Sequence, residues 1–223
     1  MREVIPGVYQ LPNSFVNLYL ILEPDGATLI DTGLQKTGAA VVLSALEQLG
    51  RDSSDLKRIL ITHADPDHIG SVAALKAVSG ATVMIGSGDA PAMARGEAAR
   101  PINNAIVKFI FGLMMPKTVP VQIADVQLQD GAVIPELLGG LQVVFSPGHT
   151  AGHIAFFSPR DNILFAGDAM RVGGGKLSWT RGPFTLDYAQ GLASVRRLEA
   201  LRPTTVCCGH GDPVKGENLE FPR

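Results

Sequence analysis

Six residues, His63-Ala64-Asp65-Pro66-Asp67-His68, decide the reading of this chain. They hold two imidazoles and two carboxylates and follow directly on the apolar run Ile59-Leu60-Ile61. A buried strand has no use for four ligand-type side chains at its end, because unpaired buried charge costs too much to keep. Three more residues of the same kind stand in the same setting. His149 follows Val143-Val144-Phe145, Asp168 follows Ile163-Leu164-Phe165, and His210 follows Val206-Cys207-Cys208. A hydrophobic run, a small turn residue and a ligand-type side chain thus recur four times. Any one of these histidines could be an ordinary core residue; four at matching strand ends point to a metal site built on a sheet edge.

Composition bounds the rest. A chain of 223 residues suits one domain, 1–223, with a large core. An apolar content of 46% argues for a compact globule and against disorder. A net charge of -2 with no Lys/Arg cluster leaves no electrostatic footprint for nucleic acid. Cys207 and Cys208 are the only cysteines and are adjacent, so no disulfide framework is expected, which fits a reducing compartment. The N-terminus, Met1-Arg2-Glu3-Val4-Ile5-Pro6-Gly7, has no apolar signal region. The longest hydrophobic stretch, Ala105 to Met115, is broken by Lys108 and is about half of the roughly 20 residues a bilayer requires. The expectation is a soluble, cytoplasmic protein with no membrane partner.

Along the chain, Val8–Leu11, Asn17–Leu22 and Ala27–Ile30 read as antiparallel strands, the last two joined by the turn Pro24-Asp25-Gly26. Helical spacing of Val42, Ala45, Leu46 and Leu49 predicts a helix ending at Gly50. Lys57–Thr62 is the strand that delivers His63, Ser71–Val78 a helix, and Ala81–Ile85 a strand. Leu141–Phe145, Ile154–Phe157, Ile163–Ala166 and Thr204–Cys208 are strands, with a helix over Leu186–Leu201 that turns Leu192, Val195 and Leu198 to one side. Strand blocks each followed by a helix suggest two sheets packed face to face with helices outside. Residues 89–120 are Pro-bounded, rich in Met, Phe and Ala, and lack strand character. They read as a helical lid or as an interface with a second copy of the chain, and their apolar surface suits a small-molecule substrate with an apolar portion.

These motifs resemble the metallo-β-lactamase-fold hydrolase superfamily over nearly the whole length. The six-residue run matches its H-x-H-x-D-H signature except at one position. Around the signature, Leu29-Ile30-Asp31-Thr32-Gly33, Pro147-Gly148-His149-Thr150-Ala151-Gly152-His153, Phe165-Ala166-Gly167-Asp168 and Gly209-His210-Gly211 match in order. The resemblance implies an α+β fold, a four-layer αββα sandwich. It implies one metal on His63, Asp65 and His149, a second on Asp67, His68 and His210, and Asp168 bridging them. Asp67 and Asp168 are assigned catalytic as well as ligand roles. The implied cofactors are two divalent metal ions, zinc first. The implied reaction is attack of a shared hydroxide on a small ester, thioester or lactone carbonyl.

Asp65 stands where the family carries its second histidine. A carboxylate hardens the site and opens it to iron or manganese. That keeps two alternatives in view: a non-haem iron oxidoreductase, such as a persulfide dioxygenase or an oxygen-reducing di-iron protein, and a metal-binding protein without catalysis. His153 resembles a residue that orients a ligand rather than binding metal, and Asp31 either caps the following helix or supports a ligand. Cys207 and Cys208 read as small buried hydrophobes, and Tyr19 and Tyr188 as packing residues rather than oxyanion donors. Lys176, Trp179 and Arg181, in the loop after Asp168, read equally as substrate contacts or as a solvated loop.

Overall fold

Alternation along the strands dictates the layering. Within β5 (Leu56–Ile61), Ile59 and Ile61 point one way and Leu60 the other, and all three are fully buried. In β11 (Ile163–Gly167), Ile163 and Phe165 oppose Leu164 and Ala166 in the same manner. A strand buried on both faces must be covered on both. The computed structural model describes residues 1–11, 16–99, 119–120, 124–180 and 185–223, and it shows what covers them.

A first mixed sheet has the order β1 (Arg2–Ile5), β2 (Val8–Leu11), β3 (Leu18–Glu23), β4 (Gly26–Ile30), β5, β6 (Thr82–Gly86) and β7 (Val126–Leu128). Its first four strands are antiparallel, and β4 through β7 are parallel. The second sheet runs β15 (Val214–Lys215), β14 (Thr205–Cys208), β11, β10 (Ile154–Ser158), β9 (Leu141–Phe145) and β8 (Val133–Ile134). Helices α1 (Gly38–Gln48) and α3 (Val72–Ser79) cover the outside of the first sheet. There Val42, Leu46 and Leu75 pack with Leu29, Ile59 and Ile61. Between the sheets lie Ile21, Ile30 and Leu60 against Val143, Phe156 and Phe165. A later helix, α5 (Tyr188–Ala200), covers the second sheet through Val195 and Leu198. The fold is therefore the αββα sandwich.

Some local expectations are corrected. Leu192 is exposed rather than buried with Val195 and Leu198. Ser194 is buried instead, and its hydroxyl donates to Pro147 O at 2.6 Å, which turns the helix toward the His149 loop. The segment after Asp168 is not simply a loop. It forms a hairpin of β12 (Met170–Gly173) and β13 (Lys176–Trp179), with Lys176 and Trp179 on its second strand. Arg181 lies outside the described residues, as does most of the 89–120 segment; its described start is the short helix α4 (Ala90–Arg95), with Ala90, Ala92 and Met93 buried. No helix among the described residues is long and apolar enough to cross a membrane.

Candidate metal centre

Parallel strands bring their ends to one rim. β4, β5 and β6 run alike in the first sheet, and β14 runs parallel to β11 in the second. β9 is antiparallel to β10, which is antiparallel to β11, so β9 also runs with them. Asp31 leaves β4, His63 leaves β5, His149 follows β9, Asp168 follows β11 and His210 follows β14. At the rim, Ile154 N–H donates to Thr62 O at 2.9 Å, tying the two sheets together beside the cluster.

The motif itself bends through a one-turn helix, α2 (Pro66–Ile69), with Pro66 in its first turn and Asp65 at its N-cap. Proline there needs no N–H partner and sets φ for the turn. An aspartate at an N-cap ordinarily bonds the helix amides with its carboxylate. Asp65 makes no such bond. Its Oδ2 instead lies 3.2 Å from His149 Nε2 and 3.6 Å from His63 Nε2.

All seven residues named from the sequence come together. His63, Asp65 and His149 form one group whose ligand atoms lie within 4.8 Å of one another, and Asp67, His68 and His210 form a second. Asp168 stands between them. Its Oδ2 is 3.7 Å from His149 Nε2 and 3.3 Å from His210 Nε2, and its Oδ1 is 3.7 Å from His68 Nε2. Six of the seven are buried, and the His210 side chain is 31% exposed.

A second layer sets the tautomers. Asp31, in a left-handed conformation (φ 58°), accepts from Thr62 N–H at 2.9 Å and holds His68 Nδ1 at 2.8 Å. A carboxylate there makes Nδ1 the donor, which turns the Nε2 lone pair toward the cluster. His153 Nε2 accepts the Asp168 backbone N–H at 3.0 Å, so its proton sits on Nδ1, 2.8 Å from Ser146 Oγ. It steadies Asp168 rather than joining the ligand groups, and Asp31 supports His68 while Thr37 occupies the N-cap of α1.

Electrostatics follow from that crowding. Burial would raise the Asp65 carboxyl, but His149 and His63 outweigh it and hold it well below the usual carboxylate range. Burial acts likewise on Asp168, where His210 and His68 prevail. Burial opposes charge on His68, yet Asp31, Asp67 and Asp168 raise its pKa to about 10. Burial, reinforced by His63 and His149, pushes His153 well below the imidazole range.

The donor set fits divalent metal. His63 Nε2, His68 Nε2 and Asp168 Oδ1 are buried polar atoms with no hydrogen-bond partner among the described residues, and all three face the cluster. Such atoms are costly unless something binds them. Asp31, Asp65, Asp67 and Asp168 carry four negative charges when ionised, which two divalent cations balance.

Known proteins share the fold and the family. The family model described as the metallo-beta-lactamase superfamily matches residues 11–210. The chain belongs to that superfamily. Among its relatives, the probable metallo-hydrolase YflN of Bacillus subtilis is 29% identical, over 97% of this chain and 88% of that protein. A hydroxyacylglutathione hydrolase of Albidiferax ferrireducens is 35% identical over 92% of this chain, which spans only 64% of that protein. Among solved structures, TTHA1623 in a di-iron-bound form superposes with a TM-score of 0.68 at 28% identity, covering 93% of this chain and 94% of that one. Membership places the chain among the metallo-hydrolases.

Sequence reasoning missed two residues that shape this centre. Asn17 bonds the carbonyls on both sides of His210: its backbone N–H donates to Gly209 O at 2.7 Å, and its side-chain amide donates to Cys208 O at 2.9 Å and to Gly211 O. Tyr19 adds its hydroxyl to Cys208 O at 2.9 Å, which accounts for it as a buried support rather than an oxyanion donor. Tyr188 is half-exposed at the start of α5. The other missed residue, Asp89, repeats the pattern of apolar run, small turn residues and acid, as Val83-Met84-Ile85-Gly86-Ser87-Gly88-Asp89. That signal was readable.

Proposed function

We propose that this chain is a dinuclear metal-dependent hydrolase of small acyl compounds, with a thioester the leading substrate class and esters and lactones beside it. The observation that carries the reading is the pair of three-ligand groups sharing Asp168. His63, Asp65 and His149 would hold one metal, and Asp67, His68 and His210 the other. When bound, two divalent ions supply a water of lowered pKa and a Lewis acid for a carbonyl oxygen. The protein's part is orientation. Asp31 holds His68 Nδ1 and so orients Nε2 as the atom that would face its metal, and His153 fixes the backbone of Asp168 between the two groups. The thioester preference rests on the relatives named hydroxyacylglutathione hydrolase. A small-molecule substrate with an apolar portion, and a second copy of the chain as partner, remain part of the same proposal.

The test is elemental analysis joined to a hydrolysis screen over thioesters, lactones and phosphodiesters. The expected result is two metal equivalents per chain and thioester turnover that a chelator abolishes and added metal restores. Metal-loaded protein that cleaves none of these would overturn the reading.

Asp65 favours a second reading, a non-haem iron oxidoreductase, because a carboxylate donor suits iron and TTHA1623 was solved with two irons. Bound iron with visible absorbance and oxygen uptake in place of hydrolysis would select it.

A further inference from the structure

Beyond β6 the chain turns through Gly86-Ser87-Gly88 and delivers Asp89, fully buried, behind the metal centre. Asp89 Oδ2 accepts from the Ala64 backbone N–H at 2.9 Å and from the Thr150 hydroxyl at 2.7 Å. Its Oδ1 accepts from the Gly152 N–H at 2.7 Å. Ala64 sits between His63 and Asp65, and Thr150 follows His149. One carboxylate therefore grips the loop of the first sheet that carries two ligands and the loop of the second sheet that carries the third.

The backbones meet closely enough to make that grip tight. A Cβ on Gly88 would stand 2.7 Å from Gly152 Cα, and one on Gly86 would stand 2.5 Å from Gly152 O. Only glycine lets the two loops approach in this way. The chain beyond α4 then returns to the same place, where Ala99 N–H donates to Ala64 O at 2.8 Å. Both backbone groups of Ala64 are thus held by the 89–99 segment.

Three donors converge on Asp89, and a carboxylate accepts from all three, whereas an amide would set its own N–H groups against at least one of them. Burying a carboxylate is expensive unless such bonds repay it. Among the described residues, the side-chain hydrogen bonds of Asp89 reach only the loops that carry the first ligand group. In the second group, His68 is held by Asp31, and the carbonyls around His210 by Asn17.

We propose that Asp89 is a positioning residue that sets the separation of His63, Asp65 and His149 and thereby the metal affinity of that group alone. The inference rests on the dinuclear reading above. Loss of an outer partner of a metal ligand typically weakens metal binding by about 10- to 100-fold.

The experiment titrates demetallated full-length protein with cobalt(II), followed by its visible bands, and measures thermal unfolding of the same metal-free samples. Asp65→Ala marks the signal of the first position. Asp89→Asn is expected to weaken that position by at least about tenfold and leave the other within error, while Asn17→Ala, at the carbonyls around His210, does the reverse. Thr150→Val, which removes one of the three donors, should give a smaller loss at the first position. Should Asp89→Asn fail to fold, Thr150→Val carries the test with the same outcomes. Wild-type affinity at both positions, or equal loss at both in step with a lower metal-free melting temperature, would reduce Asp89 to a staple of the fold and overturn the proposal. Unaltered protein binding fewer than two cobalt ions would instead overturn the dinuclear reading, and is visible before any variant is made.

Discussion

Asp65 and His149 face each other across the two sheets, carboxylate Oδ2 to imidazole Nε2, at 3.2 Å. The contact joins the end of β5 to the loop after β9. It uses an acid that gives up the capping bond its N-cap place offers. That choice makes sense if the carboxylate is a metal ligand. Asp65→Ala is therefore expected to reduce bound metal from two equivalents toward one, read by elemental analysis. Asp65→His removes one negative charge, leaving more positive charge to acidify a shared water. Metal content should move toward zinc and the rising limb of the pH–rate profile toward lower pH. Two metals retained in Asp65→Ala with an unchanged profile would show that Asp65 is no ligand.

Stability of the metal-free protein should depend on pH in a defined window. His68 has its pKa raised from 6.5 to about 10 against the opposition of burial. Its contribution is full below pH 6.5 and lost as pH climbs toward about 10. Asp65 and Asp168 are held well below 3.8, so their contributions are present above that pH and lost as it falls further. Burial holds His149 and His153 below 6.5, so their contributions are lost as pH falls from that value. The melting temperature should therefore be highest near pH 6.5 and decline on both sides. Metal requires an unprotonated His68 Nε2, so metal affinity should instead rise with pH across the upper window, with proton release on binding. A metal-free melting temperature that rises from pH 7 to pH 9 would contradict the assignment.

The parts of this molecule that were legible share one property: a signal carried by consecutive residues. Apolar runs such as Ile163-Leu164-Phe165, followed by small turn residues and an acid, report a doubly covered strand and the side chain it delivers. The hairpin of β12 and β13 was not legible, because four residues of alternation in Met170-Arg171-Val172-Gly173, followed by Gly174-Gly175, look like a turn-rich loop. Neither was the one-turn helix α2, too short for any periodicity to register. Asn17 could not be found from sequence at all. Its partners lie 191 and 194 positions away, and an asparagine next to a strand ordinarily signals a turn.

Asn17 also supplies a prediction. Its amide and backbone N–H hold three carbonyls around His210, the most exposed member of the cluster. Asn17→Ala strips the amide donors while Cys208 O keeps the Tyr19 hydroxyl. The expected cost to the metal-free fold is about 1–3 kcal/mol for buried acceptors left short of partners. Metal binding should weaken at the Asp67–His68–His210 group and remain as in the wild type at the other. Cobalt titration separates the two, and equal weakening at both groups would rule out a local effect.

His153 differs from Asp89 and Asn17 in serving the residue shared by both groups. Its Nε2 takes the Asp168 backbone N–H at 3.0 Å, and Ser146 Oγ receives the opposite ring proton. Phenylalanine fills a similar volume but accepts no hydrogen bond, so His153→Phe leaves a buried N–H unsatisfied at a cost of about 1–3 kcal/mol. The loosened Asp168 should lower affinity at both metal positions together, which neither Asp89→Asn nor Asn17→Ala is expected to do. His153→Gln keeps an acceptor oxygen and should recover part of the loss. The burial that drives His153 well below the imidazole range keeps it neutral, so its effect on metal binding should be the same at pH 6 and pH 8. A His153→Phe protein that loses stability yet binds both metals as tightly as the wild type would show that Asp168 is positioned without it.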